Sequence, residues 1–321
     1  MTILAYQNRA AAILFNYLKS IPNNTLFLIP ANTCPIVFST FLKAKIKFKI
    51  IDIDESTLLV DTNIVRSTIA KEIRPLGLLF VRTLGFLNEQ YSLFQELKEI
   101  CPSLRIVDDR CLCEPTFKPK FFSKNVDLTL FSTGYSKFAE QGGGGYGYHT
   151  YEFTTYKSNY SYEAHDQLLE LFNLSIENNI PFHYRDTDWL DSNKPLMPFN
   201  EYKEKTILLR NEASDHKAMI NSIYQGSFSK NSNITILSDH YNNWRFNLYA
   251  KNKNKVIDAI FEEGFFASSH YASMASIFDE GGMAPVAEKV HSKIINLFND
   301  YRISEADAKC IAGIVNKKTQ H

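Results

Sequence analysis

Apolar residues recur along the first half of the chain in two alternating rhythms. Arg9 to Ser20 carries them at helical spacing, and Thr25 to Pro30 is a short continuous apolar run of the kind a buried strand shows. The alternation then continues. Pro35 suits the first turn of a helix reaching Ala44, Phe48 to Ile53 reads as a strand, Asn63 to Ile73 as a helix and Gly77 to Arg82 as a strand. Gln90 to Ile100 reads as a helix, and Arg105 to Asp109 and Val126 to Phe131 as two more strands. Repeated β-α-β units predict an α/β fold, a mainly parallel sheet covered by helices, with function at the carboxyl ends of the strands.

The pattern changes after Tyr148. Gly142 to Gly145 is the strongest loop signal, and the following stretch is rich in Tyr, Asn and acidic residues to about Asn200. Beyond it, Thr206 to Leu209, Ile234 to Leu237 and Trp244 to Tyr249 read as strands, and Asn254 to Glu263 and Glu288 to Phe298 as helices. The expected organisation is a large domain over 1–150, a connecting region over 151–204 and a smaller α+β C-terminal domain over 205–321.

Composition narrows the function classes. The 321 residues include 35 Lys+Arg against 35 Asp+Glu, so there is no basic surplus to hold nucleic acid, and the run Lys251, Lys253, Lys255 reads as a solvated loop. The apolar runs are far shorter than the roughly 20 residues that cross a membrane. Asn16 and Lys19 interrupt the N-terminal apolar stretch and no small-residue cleavage site follows, so a cytoplasmic protein is expected. Five cysteines without a C-x-x-C pair indicate neither a disulfide framework nor a metal site.

The informative constellation is Asp108-Asp109 at one strand end, Ser132 at the next, Lys137 five residues on, and the glycines at 142–145. Side chains alternate along a strand, so Asp108 and Asp109 cannot both reach one site, which makes the pair a poor metal centre. Phe131-Ser132-Thr133-Gly134-Tyr135-Ser136-Lys137 followed by Gly144-Gly145 resembles the Ser-x-x-x-x-Lys and Gly-Gly pattern of the DegT/StrS sugar aminotransferases, which are fold-type I enzymes using pyridoxal phosphate. The resemblance extends to Ile106-Val107-Asp108-Asp109, to Lys47 through Asp54, and to Ala284-Pro285-Val286-Ala287-Glu288 through Leu297. For that family 321 residues is short, with the phosphate-binding turn near the start.

The resemblance implies a role for each matching residue. Lysine has the only side-chain primary amine, so Lys137 would hold the cofactor aldehyde covalently and then carry a proton. Asp109 would sit beside the pyridine nitrogen and keep it protonated. Ser132 and the turn Asn8-Arg9-Ala10 would bind the phosphate at a helix N-terminus, with Asn8 in the place of a glycine because Asn tolerates positive φ. Cys34 stands where many members stack an aromatic ring on the cofactor, and Leu112 where a Gln or His is common. Arg82, Arg245, His270 and Tyr271 are the candidate substrate contacts.

The implied activity is transfer of an amino group from glutamate to a nucleotide-linked keto sugar by a homodimer. A non-catalytic relative acting through binding, and a sugar dehydratase on the same scaffold, are the alternatives.

Overall fold

The computed structural model describes residues 3–118, 124–156, 159–278 and 282–320. Seven strands build the larger sheet: β1 (Ile3–Gln7), β2 (Leu26–Pro30), β3 (Lys47–Ile51), β4 (Leu76–Val81), β5 (Arg105–Asp109), β6 (Leu128–Ser132) and β7 (Gly145–His149). Their order is β1-β7-β6-β5-β4-β2-β3. From β3 to β6 every pairing is parallel, and β7 is antiparallel to both β6 and β1. The helices between them are α1 (Ala10–Lys19), α2 (Pro35–Ala44), α3 (Thr62–Ile69) and α4 (Tyr91–Ile100).

Alternation along β2 shows why both faces are covered. Leu26 and Leu28 pack with Val65, Ile69, Phe94 and Leu97 of α3 and α4, whereas Phe27 and Ile29 pack with Ile13, Tyr17, Phe38 and Phe41 of α1 and α2. Pro35 opens α2 as expected, and Asp61 caps α3 by accepting from Asn63 N at 2.8 Å.

The rest of the chain adds α5 (Tyr162–Asn178), α6 (Phe199–Phe228), α7 (Lys253–Glu262), α8 (Ala275–Phe278), α9 (Pro285–His291) and α10 (Glu305–Thr319). A second, antiparallel sheet is formed by β8 (Ile234–Ile236), β9 (Phe246–Ala250), β10 (Ala267–Ser268) and β11 (Ile294–Leu297) in the order β10-β11-β9-β8. The α/β class and the mainly parallel sheet are as expected. Among the described residues, no helix is long and apolar enough to cross a membrane.

Four sequence expectations are corrected. Thr206 to Leu209 is not a strand but lies inside the 30-residue α6, where Tyr202 and Thr206, then Lys217, Ile220, Tyr224 and Phe228 are buried at helical spacing. Glu288 to Phe298 is not one helix: α9 ends at His291, and Ile294–Leu297, fully buried, pairs with β9. The helix predicted to Ile73 ends at Ile69. Lys253 is not solvated, since it is buried and donates to His291 O at 2.6 Å.

Lys217 supplies a pH signature for this packing. Its Nζ donates to Trp244 O and Asn299 Oδ1, each at 2.9 Å. Burial, with Arg245 and Arg302 adding to it and Asp300 opposing, pushes the amine down to about 7. Between about pH 7 and about 10.4 the unfolded chain therefore binds the extra proton, and stability rises with pH across that window by up to about 1.4 kcal/mol per unit. Urea unfolding at pH 7 and pH 9 should show this rise, and Lys217→Met should flatten it. Equal slopes in the two proteins would mean the amine is charged throughout.

Candidate active site

Strand pairing brings the first helix to the functional edge of the sheet. Because β7 is antiparallel to both β1 and β6, those two strands run the same way and end together, with Gly145 opposite Gln7 on one side and Ser132 on the other. A Cβ on Gly145 would lie 2.4 Å from Ala10 N, so the bare glycine lets the start of α1 sit directly on β7. Asn8 O accepts from Gly144 N at 2.6 Å, closing the glycine loop over this turn. Asn8 does not take the positive φ expected of it, and its side chain donates instead to Lys194 O at 3.0 Å.

A cavity of about 490 Å³ opens where these elements meet. Of the sequence-predicted residues, Asn8, Arg9, Ala10, Ser132 and Lys137 line it at the α1 and glycine-loop end. Cys34, Arg82, Asp109, His270 and Tyr271 line the remainder, and Arg245 does not line it. Among the described residues none forms an ion pair or hydrogen bond with Lys137 Nζ, which leaves its amine open to a ligand. Arg82 is committed elsewhere: its guanidinium holds Asp108 at 2.8 and 3.0 Å and reaches Glu89 at 3.3 Å.

The neighbouring aspartates separate as strand geometry requires. Asp108 accepts from Arg82 and, at 2.7 Å, from Arg110 Nε. Burial pushes its carboxyl up, but the two guanidinium groups outweigh that and hold it below its ordinary value. Asp109 faces the cavity, accepting from Cys111 N at 2.9 Å. Burial raises its carboxyl, with Cys111 and the charge of Lys137 opposing. A carboxylate whose charge burial disfavours is stabilised by any ligand presenting a further positive group to it.

The far wall carries polar groups without partners. Asn32 Nδ2 and Oδ1, Thr33 Oγ1 and His270 Nε2 are buried and make no hydrogen bond among the described residues, and all three residues line the cavity. Burial and the neighbouring His291 push His270 down to about 4 despite a hydrogen bond to the Asn32 backbone, so the ring is neutral at physiological pH. Cys34 and Tyr271 hydrogen-bond through their side chains, and the thiol, with burial, drives the phenol up.

Sequence reasoning missed one wall altogether. Tyr160, Tyr162, His165, Asp191, Ser192 and Lys194 line the cavity from the stretch read as a connecting region. Arg9 ties that wall down, donating to Trp189 O at 2.7 Å and to His165 Nε2 at 3.3 Å. The abundance of tyrosine was the available signal.

No family model matches the chain, and no curated protein matches it in sequence. Solved structures do match over its full length. A DegT DnrJ EryC1 StrS aminotransferase from Brucella abortus is 17% identical, covered over 100% of this chain and 86% of that one with a TM-score of 0.68. Spr1654 from Streptococcus pneumoniae in its PLP-form is 16% identical over 99% of this chain and 87% of that one, with a TM-score of 0.70. DesI, solved in the presence of its TDP-sugar product, is 14% identical over 99% of this chain and 81% of its own, with a TM-score of 0.71. Matched over 99–100% of its length at TM-scores of 0.68–0.71, the chain has the fold of the DegT/DnrJ/EryC1/StrS aminotransferases.

Proposed function

We propose that this protein is a pyridoxal-phosphate-dependent aminotransferase that moves an amino group from glutamate to a nucleotide-linked keto sugar, acting as a cytoplasmic homodimer. The observation that carries the reading is one cavity joining the uncommitted amine of Lys137, the buried carboxyl of Asp109 and the start of α1 beside Ser132. DesI and its TDP-sugar product support the substrate class.

The residues present fit the cofactor. The first-turn amides of α1 and the Ser132 hydroxyl suit a phosphate dianion, and Gly145 allows the close approach that the cradle needs. Asp109, raised by burial, gains from a protonated ring nitrogen. When bound, pyridoxal phosphate supplies an electron sink for the pair released as a substrate Cα–H bond breaks, and it stores the amino group between donor and acceptor.

This chain's residues do the rest. Lys137 Nζ is the amine that would hold the cofactor, and it is placed to take up and return a proton. Asp109 keeps positive charge at the ring nitrogen. His270, neutral, with Asn32 and Thr33 offers uncharged donors and acceptors that match sugar hydroxyls better than a carboxylate. The net charge of zero leaves anion binding to local cations such as Arg9 and Lys194.

The test is to incubate the protein with pyridoxal phosphate, reduce with borohydride and locate the modification by mass spectrometry. The same preparation is then assayed with glutamate against a panel of nucleotide keto sugars. Cofactor fixed on Lys137 and an aminated sugar are expected. Wild-type protein with no cofactor on Lys137 would overturn the reading.

A further inference from the structure

Ser136, the residue before Lys137, adopts a left-handed backbone with φ of 63°. An L-residue other than Gly stays there only when its surroundings hold it. All three polar groups of Ser136 are held. Its N–H donates to Glu140 Oε2 at 2.8 Å, its carbonyl accepts from Trp244 Nε1 at 2.8 Å, and its hydroxyl accepts from Arg245 Nη2. Two of these three bonds come from the consecutive residues that lead directly into β9 of the second sheet, more than 100 positions away.

The clamp is itself braced. Arg245 is 2% exposed, lies 3.1 Å from the Phe298 ring centroid and pairs with Asp300 at 3.4 Å. Asp300 accepts from Arg302 at 2.9 Å, and Arg302 also donates to Glu140 at 2.9 Å, the carboxylate that holds the Ser136 amide. Trp244 is fixed from behind by Lys217, which donates to its carbonyl. The chain Ser136–Arg245–Asp300–Arg302–Glu140–Ser136 is closed, so every member has its direction set by two others.

We propose that Trp244 and Arg245 are positioning residues for Lys137: the second sheet holds Ser136 in its left-handed conformation and thereby aims the lysine side chain into the cavity. This rests on the reading of Lys137 given above. It also gives Arg245, expected from sequence to contact substrate, a place behind the lysine rather than beside the ligand. The reactive amine then depends on contact between the two sheets, not only on the strand that precedes it.

The experiment measures how fast pyridoxal phosphate and borohydride fix cofactor on Lys137, with thermal unfolding as the control for folding. Trp244→Phe keeps the ring but removes the donor, Arg245→Met removes the donor and the charge, and Arg245→Lys restores a single donor. About a tenfold slower fixation in Trp244→Phe and in Arg245→Met, with partial recovery in Arg245→Lys, is the expected pattern for the loss and return of one hydrogen bond. Ser136→Ala keeps the Cβ and loses only the hydroxyl that Arg245 engages, so it replaces Arg245→Met if that variant does not fold, with slower fixation again expected.

Folded variants that react at the wild-type rate would overturn the positioning role alone. So would equal slowing in Arg245→Lys and Arg245→Met, which would reduce the effect to packing. Wild-type protein that fixes no cofactor on Lys137 would remove the underlying reading and this proposal together.

Discussion

Lys137→Ala is expected to lose cofactor fixation at this position completely and to slow the glutamate half-reaction by about 10²–10⁴-fold, the range for removing a positioned proton-transfer group. The expectation follows from geometry. Lys137 supplies the cavity a primary amine whose charge acts on Asp109, and no hydrogen bond or ion pair from another described residue ties up its Nζ. Lys194 also reaches the cavity, but its Nζ is engaged, donating to Gly142 O at 3.4 Å. Stability should change little, because Lys137 is half-buried and makes no hydrogen bond or ion pair among the described residues. Mass spectrometry of borohydride-reduced wild type and variant, beside single-turnover kinetics, checks both statements. Fixation on Lys194 in wild type would transfer the role.

Asp108→Asn is expected to cost stability rather than chemistry. It removes the buried charge that holds Arg82 and Arg110, leaving Glu89, which is partly exposed, to answer two guanidinium groups. Breaking a buried pair from one side costs about 3–5 kcal/mol. The urea midpoint should fall accordingly with an unchanged slope. The sign with pH follows from the lowered carboxyl of Asp108: its contribution is full above the ordinary aspartate range and disappears as pH falls through its lower folded value. Wild type and variant should therefore differ at neutral pH and converge in acid. The folded variant should still fix cofactor on Lys137, because Asp108 turns away from the cavity that Asp109 enters. Lost fixation at full stability would reverse the two assignments.

Much of the first half of the fold was legible because most strands and helices there carry a clear period. Arg105–Asp109 agrees to the residue, and the strands around it agree to within two. Legibility failed where runs are short and buried throughout. Ile294-Ile295-Asn296-Leu297 is buried at every position, which fits a helix as well as a central strand, and only its pairing with β9 decides. Strand β1 escaped notice because five residues with no fully buried member carry no alternation.

The site shows the same division. Residues that matched a spaced motif, Ser132, Lys137 and Asp109, line one cavity, since Asp109 and Ser132 end adjacent strands and Lys137 follows in the loop after β6. Arg82 and Arg245 were read by residue type alone. A guanidinium suits an anionic ligand and a buried carboxylate equally well, and here Asp108 and Asp300 claim them. The wall from Tyr160 to Lys194 has no motif, because shape rather than a fixed chemical step selects its residues.

Helix α6 runs as one piece through the position where the second domain was expected to begin. At its first turns Tyr202 meets Thr133 Oγ1 at 2.9 Å and accepts from Gln141, bracketing the lysine loop, and near its far end Tyr224 donates to Phe298 O under the second sheet. Thirty residues make a rod about 45 Å long at about 1.5 Å per residue. A tilt of about ten degrees at one end sweeps the other by about 8 Å over that length. The two sheets are thus joined by a lever rather than a hinge, and any rocking of one against the other is delivered mechanically to the loop that carries Lys137.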